Sequence, residues 1–134
     1  MSALTKDRNT VRKEGEYAAY QVKANAKIFA GSQVCIDSTG YAVPGSDTAG
    51  LKFVGISRGY VDNIGRVDGA LSVEVWRRGS FELAATGMTK GNVGDNVFVV
   101  DDQTVGLAAT TTNDVPCGKM SEYNSANSVF VSTG

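Results

Sequence analysis

The sequence predicts an all-β fold, a compact β-sandwich or barrel-like body of short strands and hairpins behind a flexible N-terminal arm. Three observations predict it. Sixteen glycines, with abundant Ser, Thr and Asn, punctuate the chain at short intervals. The apolar runs between them are strand-length and several alternate, as in Leu71, Val73 and Val75 against Ser72, Glu74 and Trp76. No stretch carries the 3.6-residue apolar period of an amphipathic helix.

Residues 1–16, "MSALTKDRNTVRKEGE", form the arm. Met1, Leu4 and Val11 are its large apolar residues, set among mixed charges. Such a segment buries too little apolar surface to offset its ordering entropy, so it is expected to be mobile until it meets a partner. Residues 17–134 form one β-rich domain, the size a 134-residue chain supports. Extended segments are expected at Tyr17 to Val22, Lys27 to Ala30 and Gln33 to Asp37, then Tyr41 to Val43 after the loop "DSTG". In that loop Asp37 starts a hairpin turn and Gly40 closes it at positive φ, and Pro44 with Gly45 then breaks the strand. "LKFVGISRGYVDN" continues in β character, Asp68-Gly69 marks a turn, and "SVEVW" is the clearest alternating strand. Gly79 signals a bulge or tight turn before "SFELAA". A second hairpin spans Asn96 to Ala109, "DVPCGKMSEY" follows, and Ser128 to Ser132 is the last strand, giving eight to ten strands.

The two hairpins are related. An offset of 63 pairs Gly31 with Gly94, Val34 with Val97, Ile36 with Val99, Thr48 with Thr111, Gly55 with Gly118 and Tyr60 with Tyr123. Chance agreement in a Gly- and Val-rich chain is one explanation. The other is two β-units of similar plan packed around a pseudo-twofold core.

Chemistry is sparse. The chain has no histidine, which removes Ser-His-Asp and Cys-His hydrolases and His-ligated zinc, and no enzyme is expected. Net charge is −1, so bulk charge recruits neither nucleic acid nor an anionic membrane. The apolar runs are too short for a membrane helix and no signal pattern opens the chain, so cytoplasmic synthesis is expected. Cys35 and Cys117 sit in apolar strand-like runs and read as buried thiols, a disulfide being the minority alternative. Asp62, Asn63 and Asp68 lack calcium-loop spacing and read as turn formers, as do Asp101 and Asp102, so no metal or cofactor is expected. "WRRGSF" joins the only tryptophan to two arginines, a composition typical of interfaces. Trp76 falls opposite Leu71, Val73 and Val75, where it is either exposed for binding or covered by a second sheet or loop.

The order and spacing of "AKIFAGSQVCIDSTGYAVPG", "KFVGISRGYVDN", "DGALSVEVWRRGSFEL", "GNVGDNVFVVDDQTV" and "CGKMSEYNSANSVFVS" resemble the capsid cement or head decoration proteins of tailed bacteriophages, over about residues 20 to 132. The resemblance implies a non-enzymatic homotrimer on the outer surface of the expanded head, strengthening contacts between capsomers of the major capsid protein. It implies Leu4, Thr5, Lys6, Arg8, Val11 and Arg12 as capsid-binding residues, and Trp76, Arg77 and Arg78 as a trimer or capsid interface. The alternative is a carbohydrate- or receptor-binding β-module, which would require Tyr41, Tyr60 and Trp76 to form one exposed cluster.

Overall fold

A computed structural model describes residues 3–10, 13 and 15–134. Twelve strands follow one another: β1 (Tyr17–Gln21), β2 (Lys27–Ile28), β3 (Gln33–Ile36), β4 (Ala42–Pro44), β5 (Lys52–Ser57), β6 (Val61–Asp62), β7 (Ser72–Trp76), β8 (Gly79–Ala84), β9 (Asn96–Val99), β10 (Val105–Gly106), β11 (Pro116–Ser125) and β12 (Ser128–Thr133). Single 3-10 turns at Lys90–Asn92 and Ala108–Thr110 are the only helical elements among the described residues. The fold is all-β. Three very short strands, β2, β6 and β10, raise the count above the expected eight to ten, and Pro44 ends β4 instead of lying beyond it. Proline is tolerated there because β4 is an edge strand.

Ten strands make two five-stranded sheets, β1-β7-β5-β3-β4 and β8-β12-β11-β9-β10, and β2 pairs with β6 in a small third sheet. The two large sheets have the same strand order. Their registers match as well: Val34 opposes Gly55 as Val97 opposes Gly118, and Tyr17 opposes Trp76 as Ser80 opposes Ser132. Each sheet curls so that its two outer strands meet at one end, through parallel bridges Val22 to Ala42 and Ala84 to Thr104. The repeat is therefore structural, covering β1, β3, β4, β5 and β7 in the first unit and β8, β9, β10, β11 and β12 in the second.

A β-bulge fixes each unit at the same point. Register shifts fall between Val34 and Cys35 on the first sheet and between Pro116 and Gly118 on the second. Gly55 (φ 153°) and Gly118 (φ 155°) occupy a backbone region that is nearly glycine-only. A Cβ on Gly55 would press into the carbonyl of Trp76, and one on Gly118 into the carbonyl of Ser132. These two glycines are the backbone reason for the 63-residue period. Beyond Ser57 the units part: the first runs through β6 and the turn ending at Gly69 (φ 77°), while the second continues β11 straight to Ser125. Tyr60 and Tyr123, paired by sequence offset, thus differ in role, Tyr60 exposed and Tyr123 packed against the core.

The repeat is not chance, but the pseudo-twofold core offered as its alternative is not what forms. A twofold would bring equivalent faces together, yet Val34, Ala42, Val73 and Val75 pack with Val22 and Ile28, whereas their counterparts Val97, Val105, Val129 and Val131 pack in a separate cluster. That second cluster takes Cys35 and Ile56 from the opposite face of the first sheet, with Val43 and Phe53 beside them. The units therefore stack head to tail, the outer side of one on the inner side of the other. One consequence is visible in β3, "QVCI". Its Gln33, Val34 and Cys35 are all buried, because this part of the sheet is covered on both faces.

Polar clips hold the stack. The buried Gln33 side chain donates Nε2 to the carbonyls of Asp101 (2.8 Å) and Thr104 (3.0 Å), gripping the second hairpin from the first sheet. The Asp47 carboxylate accepts the backbone N–H groups of Thr112 and Asn113, both at 2.8 Å. These two bonds hold its pKa below the ordinary carboxylate value. The hairpin turn of the first unit is a local Asp motif. Asp37 accepts the N–H of Thr39 (2.9 Å) and Tyr41 (3.2 Å) and the Thr39 hydroxyl, which lowers its pKa to about 2, and Gly40 closes the turn at φ 89°.

Candidate functional site: an arginine–aromatic face on the first unit

Head-to-tail stacking covers only part of the first sheet's outer face. The β3, β4 and β5 end lies under the second unit, and the β1–β7 end stays open. Trp76 stands at the border, since its register partners are Ile56 in the buried part and Tyr17 in the open part. It is half-buried, so the tryptophan is neither core nor freely exposed. Tyr17 meets it edge to face, with centroids 5.7 Å apart and planes at 88°.

Arg58, just past the end of β5, completes the group. Its guanidinium carbon lies 4.4 Å from the Trp76 ring centre and 4.5 Å from that of Tyr17, and Nη1 pairs with Glu74 on β7. The two rings and the carboxylate fix a cation that would otherwise sample many rotamers. The result is a planar, pre-ordered donor group on an open β-face, the composition that concentrates binding energy at protein interfaces. Tyr60 lines the same hollow as Arg58 and Glu74 and is in ring contact with Phe29 at 5.5 Å, both rings being exposed.

The duplicate unit supplies an internal comparison. At the positions of Tyr17, Ala19 and Trp76 the second sheet carries Ser80, Glu82 and Ser132, all exposed, and the position of Arg58 is Ser121. Phe130, half-buried opposite Glu82, is the apolar exception. One backbone plan thus bears a solvated outer face in one copy and an arginine–aromatic face in the other. Fold alone does not require the second.

Of the residues singled out from sequence, Trp76 belongs to this face. Arg77 and Arg78 form the junction between units: the Arg77 N–H donates to the Glu16 carbonyl (2.7 Å), Thr133 Oγ1 donates to the Arg77 carbonyl (3.3 Å), and Arg78 Nε donates to the Gly15 carbonyl (3.2 Å). Leu4, Thr5, Lys6 and Arg8 are exposed, within a 3–10 segment that forms neither strand nor helix. Val11 and Arg12 lie outside the described residues. Tyr17, Arg58 and Glu74 were not singled out, because only the pairing register brings them to Trp76.

The remaining candidates are accounted for locally. Asn63 is buried and donates Nδ2 to the carbonyls of Val22, Lys23 and Val67, Asp68 accepts the Ala24 N–H (2.8 Å), and Asp62 accepts that of Ile64 (3.0 Å). Asp101 accepts the N–H groups of Gln103 and Thr104. Among the described residues no three His, Cys, Asp or Glu side chains gather as a metal site would require. Cys35 and Cys117 are free, buried thiols, pushed up to about 11 and about 12 mainly by burial, and Cys117 further by the neighbouring Cys35. Tyr41, Tyr60 and Trp76 have separate partners, namely Lys23, Phe29 and Tyr17. No helix among the described residues is long and apolar enough to cross a membrane. No protein family matches the chain, and neither curated proteins nor solved structures yield a match.

Proposed function

We propose that this protein is a non-enzymatic structural component of a virion, a cement or decoration protein that binds the outer surface of an expanded phage head and stabilises contacts between capsomers of the major capsid protein. The observation that carries the proposal is the contrast between the two outer faces. The outer face of one unit carries Ser80, Glu82 and Ser132 in solvent with Phe130 among them, and that of the other presents Tyr17, Arg58, Glu74 and Trp76 as a fixed binding group. That contrast suits a protein whose task is attachment through one side. In this role the face around Trp76 meets the shell, and the exposed arm, carrying Leu4, Thr5, Lys6 and Arg8, supplies the second contact that holds copies in place on it. A homotrimer would multiply a modest contact by three, giving firm retention through effective concentration. A site formed only by the expanded shell would give the timing, because a ligand stabilises the conformation it binds better.

Cosedimentation with expanded, undecorated heads tests the proposal. The wild-type chain is expected to pellet with the heads and Arg58→Ala with Trp76→Ala to remain in solution, with both proteins equally folded. Equal pelleting of the double variant would remove the face as the shell contact. Failure of the wild type to bind any expanded head would remove the function.

A further inference from the structure

We propose that the N-terminal segment of one copy docks as an added strand on the β1 edge of a second copy. The site is an open sheet edge. β1 pairs with β7 on one side, and the Arg77 N–H bond to the Glu16 carbonyl and the Val22 N–H bond to the Leu71 carbonyl fix which residues face β7. In an antiparallel ladder the intervening residues point their backbone groups the other way. Tyr17 and Ala19 therefore direct N–H and C=O outward, short of the point where Val22 and Lys23 close onto Ala42.

Open edges are usually guarded by charge. The equivalent edge strand β8 has Glu82 at the corresponding outward position, whereas β1 has Ala19. Beside β1 runs a shallow trough lined by Tyr17, Ala18 and Ala19, with Lys13 and Gly15 of the preceding segment, Glu16 and Glu74 around them. Glu74 is held by Arg58 and Glu16 shares the trough with Lys13, so the feature that selects a partner is the pair of alanines, which favours an extended segment with an apolar residue facing them. Such a segment exists in this chain: Leu4, Lys6 and Arg8 alternate along an exposed stretch in which Leu4 is 72% exposed. Extended at ~3.3 Å per residue, the sixteen residues ahead of β1 reach roughly 50 Å, far enough to meet a neighbour. The added strand lies in the plane of the sheet beyond β1, so it enlarges the arginine–aromatic face instead of hiding it.

The proposal relies on shell attachment only for where copies meet, and its test uses no shell. Light scattering should show the full chain as an oligomer, and deletion of residues 2–10 should return it to single-chain mass. A labelled peptide of residues 2–10 should bind the deleted protein, at least tenfold more weakly after Tyr17→Ser with Ala19→Glu, which copies β8 onto β1. Should that variant unfold, Ala19→Lys alone serves, and peptide carrying Leu4→Asp, Lys6→Glu and Arg8→Glu should not bind. A full chain that is monomeric at every concentration, an unchanged mass after deletion, or peptide binding indifferent to the β1 substitutions would overturn it. Loss of shell binding in the cosedimentation experiment would leave this result standing, and the converse holds equally.

Discussion

Replacing Gly118 with alanine tests whether the bulge glycines carry the fold. At φ 155° an alanine backbone is strained by about 1–3 kcal/mol. Its Cβ would also press into the Ser132 carbonyl and stand 3.1 Å from a Val131 methyl, both on the neighbouring strand, so relief requires moving β12. Overpacking of that kind adds about 1–3 kcal/mol, for a total of about 2–6 kcal/mol. Gly55 should respond alike, since its Cβ would meet the Trp76 carbonyl and a Val75 methyl at 3.0 Å. Gly87 is the control: its φ is 67° and nothing lies within 4 Å of a Cβ there, so alanine should cost about 1 kcal/mol. In urea titrations followed by Trp76 fluorescence and circular dichroism, both bulge variants should lose stability well beyond the control. Because one core cluster draws on both units, each should also unfold in one transition. A Gly118→Ala protein within about 0.5 kcal/mol of Gly87→Ala would refute the close-approach argument, and two separate transitions would refute the shared core.

Acid should loosen the hairpin of the first unit before the core. Asp37 has its folded pKa lowered to about 2 by the Thr39 hydroxyl and two backbone N–H groups, so its contribution is full above about pH 4 and is lost as pH falls toward 2. Thr39→Ala should raise that pKa, as carboxyl NMR titration would show. Asp47, also lowered, acts in the same direction, and Asp47→Asn should flatten the acid limb of a stability profile. Both thiols should be silent to a thiol reagent at pH 8 in the folded protein and react fully in denaturant; rapid native reaction would contradict their burial. Asn63→Leu leaves three carbonyls without their side-chain donor and should cost about 1–3 kcal/mol by denaturant melts.

Much of the fold was legible in the chain, for reasons that differ by element. The β7 alternation is plain because one of its faces is buried and the other is not. The Asp37–Gly40 turn is plain because its chemistry is local. The 63-residue period survives where backbone geometry demands glycine, at Gly55 and Gly118, and fades where the units take different routes after Ser57 and Met120. Strand β11 was harder to delimit, since Gly118 and the exposed Lys119, Glu122 and Asn124 interrupt any apolar pattern in its ten residues. Head-to-tail stacking was not legible at all. Which face of a repeated sheet meets which depends on long-range packing of residues such as Cys35 and Ile56, whose neighbours lie far along the chain. Trp76 could be placed on the outer face by alternation, but Arg58 and Tyr17 join it only through strand pairing.

Duplication also bears on how such a protein can change over generations. In a twofold arrangement any substitution shared by both copies alters one common seam, and the copies constrain each other. Stacked head to tail, the outer side of the first unit is half seam and half open, while that of the second carries Ser80, Glu82 and Ser132 in solvent. The second copy can keep the architecture while the first drifts toward new partners, as long as Gly55 and Gly118 persist. A laboratory selection that randomised residues 17, 19, 58, 74 and 76 would be exploring the same latitude.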